Sequence, residues 1–493
     1  MLNKKMKIVI AGGGTAGWIA AAALSHQMGE ILDITLVESQ EIGTIGVGEA
    51  TIPPMRTFHR LLGINEQEFM RATNATFKLG IQFENWKQVG EKYFHSFGIT
   101  GKQTIITDFI HFWLRGRELG IAEEFGNYCL EYKAALENRF SLNDQTNINY
   151  AFHLDAGRYA SFLRTRAEAR GVKRVEGKIA EVIQDPESGF ITSLKMDSGE
   201  EIPGDLFLDC TGMRGILIEQ TLQTGFEDWG HWLPCDSAIA IQTESTGPAV
   251  PYTKSIAHHA GWRWQIPLQH RVGNGIVFSG QHLSKDEAMN MLLSSVDGKA
   301  LTEPNVIKFK TGRRKKSWNK NCIAMGLASG FLEPLESTSI HMIMTAVTRL
   351  LQLFPHGEIK QSTVEEYNMQ AESEFIRIRD FIILHYKATE RNDSTFWRYC
   401  KDMEVPGDLK HRMAIFKESG KSFQVEGELF RLDSWTQVML GQGLIPSSYH
   451  PIVELMQEPE LQHFLQTIAT AVDKNIANMS THQDFVNKYC GKM

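Results

Sequence analysis

The chain has 493 residues, with 51 lysines and arginines against 58 aspartates and glutamates, a formal net charge of −7. This balance excludes the basic excess typical of nucleic-acid-binding proteins, and 42% hydrophobic with 22% charged residues excludes a disordered or fibrous chain. The six cysteines lie far apart without a C-x-x-C pair, which favours neither a zinc ribbon nor a disulfide-rich secreted scaffold. We therefore expect a reduced, cytoplasmic enzyme without a metal site. Its length suggests about three domain-sized units, or one large fold with an added piece.

An uncharged run, 8–29, follows several lysines near the N-terminus and superficially resembles a signal peptide. Its four glycines favour a phosphate-binding turn instead, because an apolar signal segment gains nothing from glycine. We predict a strand over Ile8–Ala11, the turn over Gly12–Gly17 and a helix over Trp18–Met28. No other run of 18 apolar residues lacks charges, so we expect no membrane-spanning helix.

The turn has the G-x-G-x-x-G spacing of dinucleotide-binding folds. Gly12 permits a tight turn, Gly14 lets the backbone approach a pyrophosphate, and Gly17 lets helix and strand pack closely. Glu38 ends a second predicted strand 21 residues after Gly17, where an acidic side chain binds a ribose hydroxyl pair. An acidic residue here favours FAD or NAD over NADP, and the alternative is a glycine turn in an ordinary βαβ unit. The cofactor-binding residues predicted from the turn are Gly12, Gly14, Thr15, Ala16 and Gly17.

Five further stretches carry secondary-structure signals. Residues 77–83 alternate between apolar and polar positions, which predicts a half-buried strand with Lys78 on its polar face. We predict a helix over 158–170, short strands over 172–209, and antiparallel sheet over 237–280. From Ser337 onward the pattern is mostly helical.

The fold class predicted from these elements is α/β. Segments 205–212 and 321–330 resemble the later sheet segments of glutathione-reductase-type flavoproteins, which favours FAD over NAD. We expect a FAD-binding module over 1–340, with substrate-side strands inserted and the halide site included. A helical, substrate-capping module would follow over 341–493.

Four segments together resemble the flavin-dependent tryptophan halogenase family, and a looser likeness, GQGLIP at 441–446, extends the match. The third segment carries the W-x-W-x-I-P signature, which is specific because two tryptophans and a proline at fixed spacing rarely recur by chance. The four segments are GGGTAGW at 12–18, IGVGEATIP at 45–53, GWRWQIP at 261–267 and LASGFLEPLESTSI at 327–340.

The resemblance implies which residues surround the flavin. The segment 46–51 corresponds to the family's flavin strap, and the signature tryptophans would keep organic substrate away from the oxygen-bearing edge of the flavin. Taken alone, two such tryptophans could equally be core residues. The residues implied are Gly48, Glu49 and Ala50 in the strap, Leu327 and Ile340 for the cofactor, and Trp262, Trp264 and Pro267 in the signature.

The resemblance also implies the catalytic pair and the halide site. Lys78 matches the family's essential lysine, although its pattern alone indicates a solvated side chain. Glu336 matches the second catalytic residue, and Thr338 and Ser339 occupy the halide-binding positions at a predicted helix start. Ser337 or Thr338 could also serve as the helix N-cap. Many members have glycine where this chain has Ser339, so chloride and bromide both remain open.

For the substrate, His95 and Phe97 match the family's pair that sandwiches an indole ring. Their alternative interpretation is a buried His and Phe in a strand. The stretch Ser434–Met439 lacks the tyrosine pair found in members that bind the free amino acid. Indole, another small arene, or an indole within a larger molecule is therefore expected, with Trp435 lining the site.

The implied reaction uses reduced FAD from a separate NAD(P)H-dependent reductase, O2 and halide to form hypohalous acid. Lys78 would hold the oxidant against the arene, and Glu336 would remove the ring proton. A homodimer is one expectation; neither a nucleic acid nor a membrane is an expected partner. The alternatives are a single-component aromatic hydroxylase, a flavin-binding sensor or scaffold, and an NAD-dependent dehydrogenase.

Overall fold

The structure is a computed structural model that describes residues 5–42, 49–142, 147–355 and 357–491. Contacts divide the chain into two compact units. Unit 1 contains 1–75, 154–231 and 309–376, and unit 2 contains 76–153, 232–308 and 377–493. This division differs from the predicted modules 1–340 and 341–493, because the chain passes between the units several times. The functional roles given to those two modules stay predictions.

The strands are numbered in chain order. They are β1 Met6–Ala11, β2 Leu32–Glu38, β3 Glu49–Ala50, β4 Thr76–Lys78, β5 Gly80–Glu84, β6 Lys92–Ser96, β7 Arg139–Phe140, β8 Ala151–Leu154, β9 Lys173–Glu176, β10 Ile179–Gln184, β11 Ile191–Met196, β12 Glu201–Pro203, β13 Leu206–Asp209, β14 Phe226–Asp228, β15 Ser237–Glu244, β16 Thr253–His258, β17 Gly261–Pro267, β18 Arg271–Phe278, β19 Asn305–Lys308, β20 Gly312–Arg314, β21 Trp318–Asn319, β22 Cys322–Ala324, β23 Gly330–Phe331 and β24 Ser480–Thr481.

The helices are numbered in the same way. They are α1 Thr15–Met28, α2 Pro54–Leu61, α3 Glu66–Thr73, α4 Phe109–Glu118, α5 Leu130–Leu136, α6 Ala156–Glu168, α7 Lys285–Ser295, α8 Ser339–Gln352, α9 Gln361–Lys387, α10 Thr395–Asp402, α11 Gly407–Ser419, α12 Leu432–Gly441, α13 Glu458–Ala477 and α14 His482–Cys490. Within the described ranges, none of these helices has both the length and the apolar character needed to cross a membrane.

Unit 1 is built on a six-stranded sheet in the order β21-β22-β13-β1-β2-β9. Its central strands run parallel, with β1 between β13 and β2. The strand predicted over Ile8–Ala11 lies within β1, and the predicted helix over Trp18–Met28 lies within α1, which begins three residues earlier. Apolar side chains of β1, β11 and β13 share one buried core. Strands β11 and β13 are two of the short strands predicted over 172–209. The βαβ start of the fold is therefore confirmed.

Unit 2 is built on a seven-stranded sheet in the order β19-β15-β18-β17-β16-β5-β6. Strands β15, β16, β17 and β18 confirm the antiparallel sheet predicted over 237–280. The chain beyond α8 is almost entirely helical, so the prediction of an α/β fold with a mostly helical C-terminal part is also confirmed.

The predicted half-buried strand over 77–83 is wrong in two respects. The stretch breaks at Leu79: β4 pairs with β8, whereas β5 pairs with β6 and β16. Lys78 and Gly80 are buried, so the expected polar face is not exposed to solvent. Alternation failed here because protein covers both faces of the strand, which the local pattern cannot reveal.

Candidate flavin and halogenation site

The glycine turn of unit 1 has the geometry that a dinucleotide loop requires. Gly12 adopts a φ of 110°, and a Cβ there would lie 2.3 Å from the carbonyl oxygen of Cys210. A Cβ on Gly17 would lie 1.9 Å from the carbonyl oxygen of Gly12, so both positions exclude larger residues. A Cβ on Gly14 would meet no atom of the described residues within 4 Å. The opening at Gly14 therefore fits a phosphate group approaching the start of α1.

Thr15 and Ala16 form the first turn of α1, next to that opening. No acidic side chain lies within this turn itself. The predicted strap residues Glu49 and Ala50 form β3, and burial raises the pKa of Glu49 to about 7. Gly48 lies outside the described residues.

Glu38 ends β2, as predicted, and is fixed by three side chains of unit 1. Its Oε2 accepts a hydrogen bond of 3.3 Å from Trp18 Nε1, and its Oε1 forms an ion pair with Arg174. Arg164 Nη1 lies 3.6 Å from the same Oε1. The carboxylate is held in one orientation, as a ribose-binding residue requires. The sequence did not predict Arg174 and Arg164, because neither belongs to a recognisable motif.

Glu336 lies at the end of a short helical turn, Pro334–Glu336, and is fully buried. Ser337 follows with a left-handed φ of 60°, and α8 then begins at Ser339. Thr338, one of the two residues considered for the N-cap, occupies that position, but its side chain forms no capping hydrogen bond. Thr338 is 1% exposed and Ser339 is half-buried. The start of α8 thus has main-chain amides that the Thr338 side chain does not cap, which suits the predicted halide position.

The other two cofactor residues predicted in this segment lie on either side of the Glu336 turn. Leu327 belongs to a half-buried helical turn, Gly326–Ala328, and Ile340 is a buried residue of α8. A Cβ on Gly326 would lie 2.9 Å from Ala16 Cβ, so the late glycine segment packs closely against the start of α1. Both segments therefore meet at the carboxyl ends of β1 and β22.

Lys78 is the last residue of β4 and has no exposed surface. Its Nζ lies 5.2 Å from the centroid of the Phe97 ring, a cation–π contact within unit 2. A lysine is rarely buried without a functional or pairing reason, because desolvation disfavours its charged form. The structure therefore rejects the solvated-lysine interpretation. Lys78 belongs to unit 2 and Glu336 to unit 1.

A buried histidine that the sequence did not predict lies near Lys78. His153 is opposite Thr76 across the β4–β8 pair, and its Nδ1 lies 3.0 Å from Thr76 Oγ1. Its Nε2 lies 3.0 Å from Thr253 Oγ1. Burial and the charge of Lys78 hold the pKa of His153 well below its usual range. His153 is therefore a neutral neighbour and adds no second positive charge beside Lys78.

The predicted substrate residues His95 and Phe97 lie at the end of β6 and directly after it. Their ring centroids are 6.4 Å apart with an interplanar angle of 80°, an edge-to-face contact rather than two parallel faces. His95 is 2% exposed, and its ring lies 5.5 Å from that of Phe381. Their role in holding an arene stays a prediction.

Trp435 belongs to α12 and is 1% exposed. Its Nε1 donates a 3.1 Å hydrogen bond to Glu428, and the Arg412 guanidinium lies 3.9 Å from its ring centroid. Its ring also packs edge-on against Phe381 at 4.8 Å. These contacts make Trp435 part of the aromatic core that supports His95, and its role as a lining residue stays a prediction.

The signature residues Trp262, Trp264 and Pro267 all lie on β17. The two indoles are buried, with ring centroids 6.1 Å apart. Trp264 lies across Gly275 of β18, where a Cβ would come within 2.0 Å of the indole ring. The carbonyl oxygen of Pro267 accepts a 2.7 Å hydrogen bond from Thr76 Oγ1, which joins the signature strand to β4. The tryptophans are core residues, as the alternative interpretation held, and their flavin-side role stays a prediction.

The chain was compared with known protein families and structures. Residues 7–458 match the family model described as tryptophan halogenase. Tryptophan 6-halogenase SttH of Streptomyces toxytricini is 37% identical over 447 residues, which cover 83% of this chain and 84% of that protein.

Two solved structures match nearly the whole fold. Xcc4156, a flavin-dependent halogenase from Xanthomonas campestris, is 53% identical with a TM-score of 0.97, and 99% of each chain is covered. BrvH, a flavin-dependent halogenase from Brevundimonas sp. BAL3, is 43% identical with a TM-score of 0.95 and the same coverage.

Proposed function

Because the chain belongs to the tryptophan halogenase family, whose members are flavin-dependent enzymes, we propose that it halogenates an electron-rich arene of indole type. The observation that carries the proposal is the buried Lys78 amine beside the Phe97 ring. A lysine Nζ next to an aromatic face can hold a polar oxidant close to an arene while bulk water is kept away.

FAD fits the residues of unit 1. The opening at Gly14 would take the pyrophosphate, and the fixed carboxylate of Glu38 would accept hydrogen bonds from the ribose hydroxyls. Reduced FAD, when bound, would supply two of the four electrons that O2 takes up. The halide ion would supply the other two as it is oxidised to hypohalous acid. We propose that Thr15, Ala16, Glu49, Leu327 and Ile340 line the rest of this site, as the family resemblance implies.

The protein's own groups then control the halide and the oxidant. We propose that Thr338 and Ser339 hold the halide at the start of α8, through main-chain amides that the Thr338 side chain does not cap. Trp262 and Trp264 exclude the organic substrate from the place where the oxidant forms. The hydroxyl of Ser339 narrows the halide position, and bromide, which is less strongly hydrated and more easily oxidised than chloride, is proposed as a substrate at least as good as chloride.

Transfer to the arene needs two groups. The Lys78 amine holds the hypohalous oxidant, and the arene carbon forms a bond to the halogen as the halogen–oxygen bond breaks and the hydroxide takes a proton to leave as water. If the oxidant has first formed a haloamine with release of water, the halogen–nitrogen bond breaks instead and the Lys78 amine is regenerated. The ring carbon that gained the halogen then loses its proton, and the buried Glu336 carboxylate takes that proton. Glu336 also stabilises the positive charge that the ring carries before the proton leaves.

We propose as partners a separate NAD(P)H-dependent flavin reductase and a small aromatic substrate. Free tryptophan is not favoured, because the stretch of α12 that carries Trp435 has no tyrosine pair to hold an amino acid group. Indole, or an indole within a larger molecule, fits the aromatic cluster of His95, Phe97 and Phe381 better. A homodimer and a cytoplasmic location complete the proposal, and the six free cysteines are compatible with that location.

The proposal is tested with FAD, a flavin reductase, NADH, O2 and bromide, using indole as substrate. We expect a product that carries the paired isotope pattern of bromine and that forms only when bromide is present. A hydroxylated product formed without halide would instead support the hydroxylase alternative, which the halogenase relatives do not favour. Absence of both products with indole would refute an indole-type substrate.

A further inference from the structure

The loop that carries Phe97 is fixed at several points by unit 2. The Phe97 N–H donates a 2.9 Å hydrogen bond to the carbonyl oxygen of Leu79, and its carbonyl oxygen accepts a 2.9 Å bond from Asn149 Nδ2. Because Leu79 follows Lys78 directly, the position of this loop determines where the Phe97 ring lies relative to the Lys78 amine. The loop, Ser96–Thr100, therefore sets the distance between the Phe97 ring and the Lys78 amine.

One side chain of α12 spans this loop. Gln437 is 8% exposed, and its Oε1 accepts hydrogen bonds from Ser96 N at 2.7 Å and Ser96 Oγ at 3.1 Å. Its Nε2 donates to Thr100 Oγ1 at 3.3 Å, with the carbonyl oxygen of Gly98 at 3.5 Å. The Gln437 amide thus binds the loop on both sides of Phe97.

The surroundings leave the loop little room to move. Asp433, one turn earlier on α12, accepts a 2.8 Å bond from Thr100 N. A Cβ on Gly98 would lie 1.9 Å from Glu131 Oε2 and 2.7 Å from Cys129 Sγ. The loop is held between α12 on one side and the start of α5 on the other, so a changed bond at Gln437 is transmitted to Phe97.

We propose that Gln437 is a positioning residue that sets the placement of Phe97 against Lys78, and through it the ring position at which the arene is halogenated. Gln437 does not touch the reacting atoms and acts through the loop. The inference rests on the proposed function, because it takes the arene to lie against Phe97.

The test uses Gln437→Met, which keeps the length of the side chain and removes both kinds of hydrogen bond. Gln442→Met is the matched control. Gln442 caps the same helix, is 1% exposed, and donates to the carbonyl oxygen of His385 at 2.7 Å and to Tyr93 Oη at 3.2 Å. Both variants lose buried hydrogen bonds, but only Gln437→Met releases the Phe97 loop.

The readouts are the ratio of bromoindole isomers, KM and kcat, together with the affinity of flavin-free protein for indole by calorimetry. We expect Gln437→Met to shift the isomer ratio about threefold or more and to lower kcat/KM about tenfold, because small misplacements of reacting groups cost large factors in rate. Indole affinity should fall in the same variant. Gln442→Met should keep the wild-type isomer ratio even if its Tm falls as far.

A wild-type isomer ratio together with a wild-type indole affinity in Gln437→Met would overturn the inference, as would an equal shift in Gln442→Met. If Gln437→Met does not fold, Thr100→Val removes one of the two acceptors of Gln437 Nε2 and should shift the ratio in the same direction by a smaller factor. Failure of the wild-type enzyme to halogenate indole refutes the proposed function. Wild-type halogenation with no shift in Gln437→Met or Thr100→Val refutes only the role of Gln437.

Discussion

The Gly14→Ala variant tests whether glycine is required at this position for FAD binding or for folding. Among the residues that the structure describes, none has an atom within 4 Å of a Cβ at this position, and the φ of −74° suits alanine as well as glycine. The methyl group therefore occupies only the space that we assign to the pyrophosphate. We expect the flavin-free protein to be nearly unaffected while FAD binding is strongly weakened.

The magnitudes follow from the geometry at the helix start. Loss of chain entropy in the unfolded state stabilises an alanine variant by about 0.4–1 kcal/mol, while alanine is a poorer N-cap by a similar amount. The net change in unfolding free energy should then stay within about 0.5 kcal/mol. A charge-assisted hydrogen bond to phosphate contributes about 1.5–3 kcal/mol, so losing one raises the Kd of FAD about tenfold to hundredfold.

Gly13→Ala is the contrasting variant. A Cβ on Gly13 would lie 1.6 Å from Glu38 Oε2 and 2.4 Å from Glu38 Cβ. Glu38 cannot move aside without losing its bonds to Trp18 and Arg174. This variant should therefore destabilise the flavin-free protein, by about 1–3 kcal/mol, and also weaken FAD binding.

The assay is the Tm of each flavin-free variant, followed by titration with oxidised FAD and detection by flavin fluorescence. Unchanged FAD affinity in Gly14→Ala, at any Tm, would refute the assignment of this opening to the cofactor. A Tm loss in Gly14→Ala as large as that in Gly13→Ala would show that the space at Gly14 serves the fold instead.

Three further outcomes are expected. Burial raises the pKa of Glu49 to about 7, so the protonated carboxyl stabilises the folded protein. This stabilisation is complete below pH 4.5 and is lost as the pH rises to 7. The loss reaches about 3 kcal/mol, so Glu49→Gln should flatten the unfolding free energy between pH 5 and 8, and an unchanged slope would contradict the assignment. Asp209→Asn should lower the unfolding free energy by about 2–4 kcal/mol in urea titrations, because this buried carboxylate accepts hydrogen bonds from Thr211 N and Oγ1 and from the main-chain N–H groups of Leu217 and Ile218; a change below half of that would contradict the network. Ser339→Gly should lower the ratio of chlorinated to brominated product in halide competition by about threefold to tenfold, because loss of the hydroxyl gives the larger bromide more room, and an unchanged ratio would show that this hydroxyl does not face the halide.

The sequence predicted the start of the fold because its signals are local. A strand, a glycine turn and a helix follow one another over 6–28, and close backbone contacts leave no room for a side chain at Gly12 and Gly17. Glu38 was predicted at the end of β2 for the same reason, since the spacing within one βαβ unit is nearly fixed. The antiparallel sheet over 237–280 was likewise visible in its β-branched and aromatic content.

What the sequence could not reveal depends on distant partners. Lys78 was placed on a polar face, but burial is decided by β8 and by the break at Leu79. Arg174 binds Glu38 across 136 residues, and Gln437 binds Ser96 across 341 residues. Such distant pairs leave no periodic pattern in the sequence. The roles of Lys78 and Glu336 came from the family resemblance, and they stay predictions until they are measured.

The most direct test of the central claim is the fate of oxidised halide in Lys78→Met, a variant that keeps an unbranched side chain in the buried site and removes the amine. The reaction contains reduced FAD, O2, bromide and indole, with an excess of a 1,3-diketone trap that intercepts free hypobromous acid. We predict that Lys78→Met forms brominated trap at a rate near the rate at which the wild-type enzyme forms bromoindole. Its own formation of bromoindole should fall by about two to four orders of magnitude. Formation of bromoindole by Lys78→Met at the wild-type rate, in the presence of the trap, would contradict the role of Lys78 in halogen transfer.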